Sequence, residues 1–283
     1  MGIIRAAVWN KVGVIKLTVL ITGASGGLGR ALALECADRG FDVFLTDINA
    51  ESLERIKNGI LRQYDVRVYT KPCDITKDSD VDSLINHAKE AGIKLDMLLN
   101  VAGIDHEGGF TTQGFDNIAE ILRVNIEATL RMTYKALSIR RKTGRFYIVF
   151  VSSLASMYPM PLKATYAASK RFLFDFSLAL GRELKGENVK VLALCPGGMP
   201  TNETCIAAIE AQGFWGTVTT NTLEKVANRT ISRALRGRKV YFPGIINRLF
   251  SIAARVAPVS MVTELLHRRW HKAQEKWIVN QNT

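Results

Sequence analysis

The chain alternates between two hydrophobic rhythms. Unbroken apolar, β-branched runs occur at residues 16–22, 41–47, 66–72, 95–103, 145–153, 189–198 and 239–244. Between them, apolar residues recur at helical spacing. Val81, Leu84, Ile85 and Ala88 form one stripe, and Leu53, Ile56, Ile60 and Leu61 form another. Strand runs without polar alternation belong to strands buried on both faces. Strand–helix alternation repeated along the chain predicts a parallel sheet covered by helices, with right-handed crossovers. No linker, repeat or low-complexity tract divides the sequence. The expected architecture is a single α/β domain: a doubly wound, parallel, seven-stranded sheet with helices on both faces. An arm at 1–16 precedes the core at 17–243, and a helical extension follows at 244–283. Ligands in such a sheet sit at the carboxyl ends of the strands.

The strand ends hold suggestive residues. The first run opens into TGASGGLG, where Gly23, Gly27 and Gly29 precede an Ala/Leu helix. Glycines there let backbone approach a pyrophosphate, and the helix N-terminus supplies N–H donors. Asp47 ends the second run, eighteen residues beyond Gly29. Its carboxylate suits ribose hydroxyls and repels a 2′-phosphate, so NAD(H) is expected over NADP(H). Asp74 after the third run either accepts from an adenine amino group or caps the following helix. Asn100 to Gly103 give a small-residue floor after the fourth run.

These residues resemble the short-chain dehydrogenases/reductases in their single-domain Rossmann form. TGxxxGxG, NVAG, Ser153, the YxxxK of Tyr166 and Lys170, and the PGxxxT of Pro196 to Thr201 occur in family order over roughly residues 17 to 243. The resemblance implies a nicotinamide cofactor held by Gly23, Ser25, Gly27, Leu28, Gly29, Asp47, Asp74, Ile75, Asn100, Ala102, Gly103, Tyr166, Lys170, Pro196, Gly197, Met199 and Thr201. It also implies that Asn125 holds a water in a proton relay and that Lys170 bonds the nicotinamide ribose.

Residues i and i+4 share a helix face, so Tyr166 and Lys170 point the same way. A free phenol titrates near about 10. The adjacent ammonium is expected to lower it, making Tyr166 a general acid/base. Ser153 holds the substrate oxygen, while strand alternation turns Ser152 away. The segment 202–221, with Phe214 and Trp215 beside Gly213 and Gly216, reads as a lid or as a rigid loop.

Composition adjusts this picture little. The 283 residues are 47% hydrophobic and 23% charged, so the chain is globular. Cys36, Cys73, Cys195 and Cys205 show no disulfide or metal spacing, which fits a cytoplasmic protein. No metal site is expected, and His267 and His271 lack a third ligand. The net charge of +12 is scattered and does not point to nucleic acid. No uncharged run is long enough to cross a bilayer, and no signal peptide is expected. Ile245, Leu249, Ile252 and Val256 form a stripe expected to dock on the fold. Cover for the substrate pocket or contact with another subunit comes next, and contact with a membrane surface is not expected. A homodimer or homotetramer is expected.

The apolar lid and tail suggest a bulky hydrophobic ketone or secondary alcohol. The tail resembles relatives acting on steroids or long acyl thioesters. A hydroxysteroid dehydrogenase is the first expectation, and a 3-oxoacyl thioester (ACP/CoA) reductase is the alternative. A non-catalytic NAD(H)-sensing protein is a remote third, because both Tyr166 and Lys170 are present.

Overall fold

β-Branched and leucine-rich runs become strands because each can bury both faces. All five residues of β1 (Thr18–Thr22), all five of β2 (Asp42–Thr46), all four of β4 (Met97–Asn100) and all six of β5 (Phe146–Val151) are buried. With β3 (Val68–Thr70), β6 (Val189–Leu194) and β7 (Val240–Tyr241) they form one parallel sheet in the order β3-β2-β1-β4-β5-β6-β7. The computed structural model describes residues 16–268 apart from 107, 202 and 212. The expected arm therefore lies almost wholly outside the described residues, as do His271 and the end of the extension.

The helices are α1 (Gly27–Asp38), α2 (Ala50–Leu61), α3 (Asp78–Glu90), α4 (Phe115–Leu122), α5 (Thr129–Ser138), α6 (Ala164–Glu183), α7 (Glu203–Ala211), α8 (Phe214–Thr219), α9 (Leu223–Leu235) and α10 (Ile245–Val256). Alternate strand residues feed two cores. Val19, Ile21, Val43 and Leu45 pack with Leu32 of α1 and Ile231 of α9. Leu20, Phe44, Leu98 and Phe150 pack on the other face with Leu84 of α3 and Met132 of α5. Each fully buried side chain of this kind contributes about 1.5–3 kcal/mol. In α2, Leu53 and Ile60 enter the core, whereas Leu61 is exposed. The sheet order reverses direction between β1 and β4, which opens the crevice where ligands bind in such sheets.

Two expectations require correction. The segment after β6 is mostly helical, forming α7 and α8. The Phe214 and Trp215 side chains lie outside the described residues. The α10 stripe does not dock on the fold: Ile245, Leu249, Ile252 and Val256 are 81%, 59%, 52% and 81% exposed. The opposite, polar face is the anchored one. Asn247, 1% exposed, donates from Nδ2 to Thr219 O at 2.9 Å and to Pro243 O at 2.7 Å. The Tyr158 hydroxyl donates to Phe250 O. Hydrogen-bond demand in a buried setting outweighs the apolar pattern here.

Candidate active site

The turn from β1 into α1 is tight enough to require its glycines. Gly23 has φ +65°, and a methyl group on it would come 2.7 Å from Ala102 N. One on Gly27 would come 2.9 Å from Thr201 Cα, and one on Gly29 would strike Gly23 O. Ser25 N donates to Asp47 Oδ2 at 3.0 Å, and Asn49 N to Asp47 Oδ1 at 3.2 Å. This joins the glycine turn to the end of β2. The residue after Asp47 is the exposed Ile48, which brings no cation. Thr22 Oγ1 accepts from Val101 N at 3.1 Å and Ala102 N at 3.3 Å, fixing the floor after β4. Asn100 donates to Thr133 Oγ1 at 3.0 Å.

Asp74 serves its own turn. Its Oδ1 accepts from Thr76 N at 3.0 Å and Thr76 Oγ1 at 2.6 Å, and the Thr76 bond is the main cause holding its carboxyl below the ordinary range. Ile75 beside it is buried. Leu28 enters the core, and Met199 packs against it.

Ser153, Tyr166 and Lys170 converge at the end of β5. Ser153 caps a short 3₁₀ turn, its Oγ accepting from Ala155 N at 3.1 Å, and its hydroxyl bonds the Tyr166 phenol. Lys170 Nζ donates to Val151 O at 3.1 Å and lies 5.7 Å from the Tyr166 ring centroid. Ser152 points to the opposite side and donates to Lys170 O at 2.7 Å.

The electrostatics differ from the expected acidified phenol. Burial pushes the Tyr166 phenol up to about 12, with the Asp105 carboxylate adding to the rise. Lys163 and the Ser153 bond oppose it without reversing it. Burial also pulls the Lys170 amine down to about 8, against the pull of Asp105. Desolvation penalises whichever form is charged, so it moves the two groups in opposite directions.

Asn125 lies in a π-helical segment, Arg123–Ala128, between α4 and α5. Such bulges recur at functional sites. Its Oδ1 accepts from Ile104 N at 2.8 Å, and its Nδ2 donates to Ile104 O at 2.9 Å and Ser169 Oγ at 3.1 Å. Its side chain thus ties the β4 exit to α6.

The turn after β6 closes the site. Pro196 O accepts from Leu154 N at 2.7 Å. Gly197 is pressed between Thr219 O and Asn247 Nδ2, where a methyl group would come within 2.7 Å of both. Thr201 N donates to Met199 O at 2.9 Å.

Three features escaped the sequence reading. Lys163 pairs with Asp105 at 2.6 Å and stands 5.6 Å from the Tyr166 ring centroid. Leu162 just before it has φ +65°, a left-handed conformation that is costly for leucine. Asn247 anchors α10. None of the three has a motif, although a second lysine three residues ahead of Tyr166 was visible.

A family profile for short chain dehydrogenases matches residues 17–206. The chain belongs to the short-chain dehydrogenase family. This dehydrogenase is 33% identical over 177 residues to a very-long-chain 3-oxoacyl-CoA reductase of Laccaria bicolor, covering 61% of the chain and 52% of the relative. It therefore spans about half the length of that relative. It is 30% identical over 220 residues to the human 17-beta-hydroxysteroid dehydrogenase type 3, covering 76% of the chain and 66% of the relative. An L-sorbose reductase from Gluconobacter frateurii, solved with NADPH and L-sorbose, shares its fold at a TM-score of 0.73 and 21% identity. That superposition covers 82% of the chain and 96% of the reductase. The family is one of oxidoreductases that act between CH–OH and C=O and bind a nicotinamide cofactor.

The residues present fit such a cofactor. Ser25 Oγ and Asn100 Oδ1 are buried without a hydrogen-bond partner at the two sides of the crevice. Gly103 leaves a bare cradle, where a methyl group would lie 2.9 Å from Lys170 Nζ and 3.0 Å from Asn125 Oδ1.

Proposed function

We propose that the chain is an NADH-dependent reductase of a bulky hydrophobic ketone, with a long-chain 3-oxoacyl thioester as the first substrate class. The observation that supports ketone reduction best is the Ser153–Tyr166–Lys170 cluster, in which burial keeps the phenol protonated at neutral pH. When bound, the reduced nicotinamide supplies a hydride to the carbonyl carbon. Tyr166 then gives its proton to the carbonyl oxygen, completing the secondary alcohol. Ser153 donates to the same oxygen as charge develops there. Lys170, charged below about pH 8, favours the phenolate left behind, which takes its proton back from solvent before the next turnover.

The thioester class is supported by the 3-oxoacyl-CoA relative and by the +12 net charge, which attracts a coenzyme's phosphates or an acidic carrier. A hydroxysteroid substrate is the second reading, favoured by the broader coverage of the steroid dehydrogenase. Oxidation of NADH, followed by its fluorescence across steroid ketones and 3-oxoacyl-CoAs of rising chain length, separates the two. Turnover of steroids alone would remove the thioester reading.

The NADH preference rests on Asp47 and the uncharged Ile48. Asp47→Ala should weaken NADH by about tenfold or more, the worth of a charged hydrogen bond, while NADPH is affected less. An unchanged NADH/NADPH ratio would sink the preference.

A further inference from the structure

Among the described residues, two consecutive helices expose a series of large apolar side chains. The outward face of α10 shows Ile245, Leu249, Ile252 and Val256, and the helical segment 259–268 shows Val259, Met261 and Leu265. Exposed apolar side chains concentrated on one stretch of chain mark an interaction surface. Its polar back is fixed in the fold through Asn247, so the apolar side has no route inward.

The surroundings of the patch are basic. Arg248 is exposed at its border, and at its far end the exposed Arg268 pairs with Glu264 at 2.6 Å. From residue 245 to the end, the sequence holds six arginines and lysines against two glutamates. A second copy of the chain seated here would set these cations against one another. An anionic surface would match them. No helix among the described residues is long and apolar enough to cross a membrane. A helix with apolar and basic borders that does not span lies in the interface plane.

We propose that the outer face of α10 and the segment 259–268 dock this protein on the surface of an anionic lipid bilayer. The apolar side chains enter the headgroup boundary and the flanking cations meet lipid phosphates. This reverses the expectation, drawn from sequence, that the stripe docks on the fold and makes no membrane contact. α10 also adjoins the turn after β6, because Asn247 on its inward face reaches Gly197 and Thr219 there.

The test is flotation of the full chain with phosphatidylcholine vesicles containing about a third phosphatidylglycerol, against phosphatidylcholine alone. The wild type should float with the anionic vesicles and be released by salt. Leu249→Asp combined with Ile252→Asp should lose vesicle binding by about tenfold or more, with an unchanged melting temperature and NADH oxidation. Arg248→Glu should weaken binding without touching an apolar contact. A wild type that stays unbound, or a double variant that floats as well as the wild type, overturns the proposal. So does a double variant that only dissociates a dimer, which would assign the face to self-association. Vesicle binding is read without turnover, so the result stands whichever ketone is reduced.

Discussion

Tyr166 and Lys170 sit four residues apart, yet what governs them is depth in the protein. Sequence spacing showed that they share a helix face. It suggested that the ammonium would acidify the phenol, because burial is a property of the folded molecule and has no local signature. With the phenol raised to about 12 and the amine lowered to about 8, the titration that limits the reaction belongs to lysine. Carbonyl reduction should therefore fall as pH rises through about 8, with Tyr166 still protonated. A kcat/KM profile for reduction that stays flat well above that value would contradict this assignment. Lys170 also lowers stability, since an amine easier to deprotonate when folded is a cation the fold disfavours. Lys170→Met should abolish turnover and raise stability at pH 7 by about 1–3 kcal/mol. Between about 8 and the ordinary lysine value the unfolded chain binds the extra proton, so wild-type stability gains with pH there. The gap to Lys170→Met should close over the same window, as urea titrations at several pH values would show.

Elements were read well where their information is local. The seven apolar runs became seven strands because burial on both faces demands an unbroken run. The glycine turn was legible because Gly23, Gly27 and Gly29 each fill a place no Cβ can occupy. Where an element's fate depends on distant partners, sequence was silent or misleading. The α10 stripe was correctly seen as one helix face and assigned the wrong direction, because the deciding bonds reach Thr219, 28 residues away. The π segment around Asn125 has no pattern of its own, and the Lys163–Asp105 pair spans 58 residues. The loop after β4 shows how such distant contacts set the site. Gly103→Ala would push a methyl group toward Lys170 Nζ and Asn125 Oδ1. It should lower kcat by about tenfold or more, as misplacement of a catalytic group does, with circular dichroism unchanged. A variant with wild-type kcat would show that the cradle has slack.

At the scale of the whole molecule, the crevice at the sheet's switch point, the turn after β6 and α10 form one continuous rim. The positive charge is scattered along the chain. Turnover should be salt-sensitive toward a coenzyme A thioester and insensitive toward a neutral steroid, because only the former carries phosphates for that charge to attract. Measuring kcat/KM for both substrates from low to high ionic strength checks this. Equal salt dependence would mean that the cations play no part in substrate capture.

The outward face of α10 also changes which concentration matters. An enzyme resting on a bilayer meets an oily substrate in two dimensions, where the governing variable is its mole fraction among the lipids. Inert phospholipid added at constant total ketone would then dilute the substrate in that plane and slow the reaction, although nothing in the bulk solution had changed.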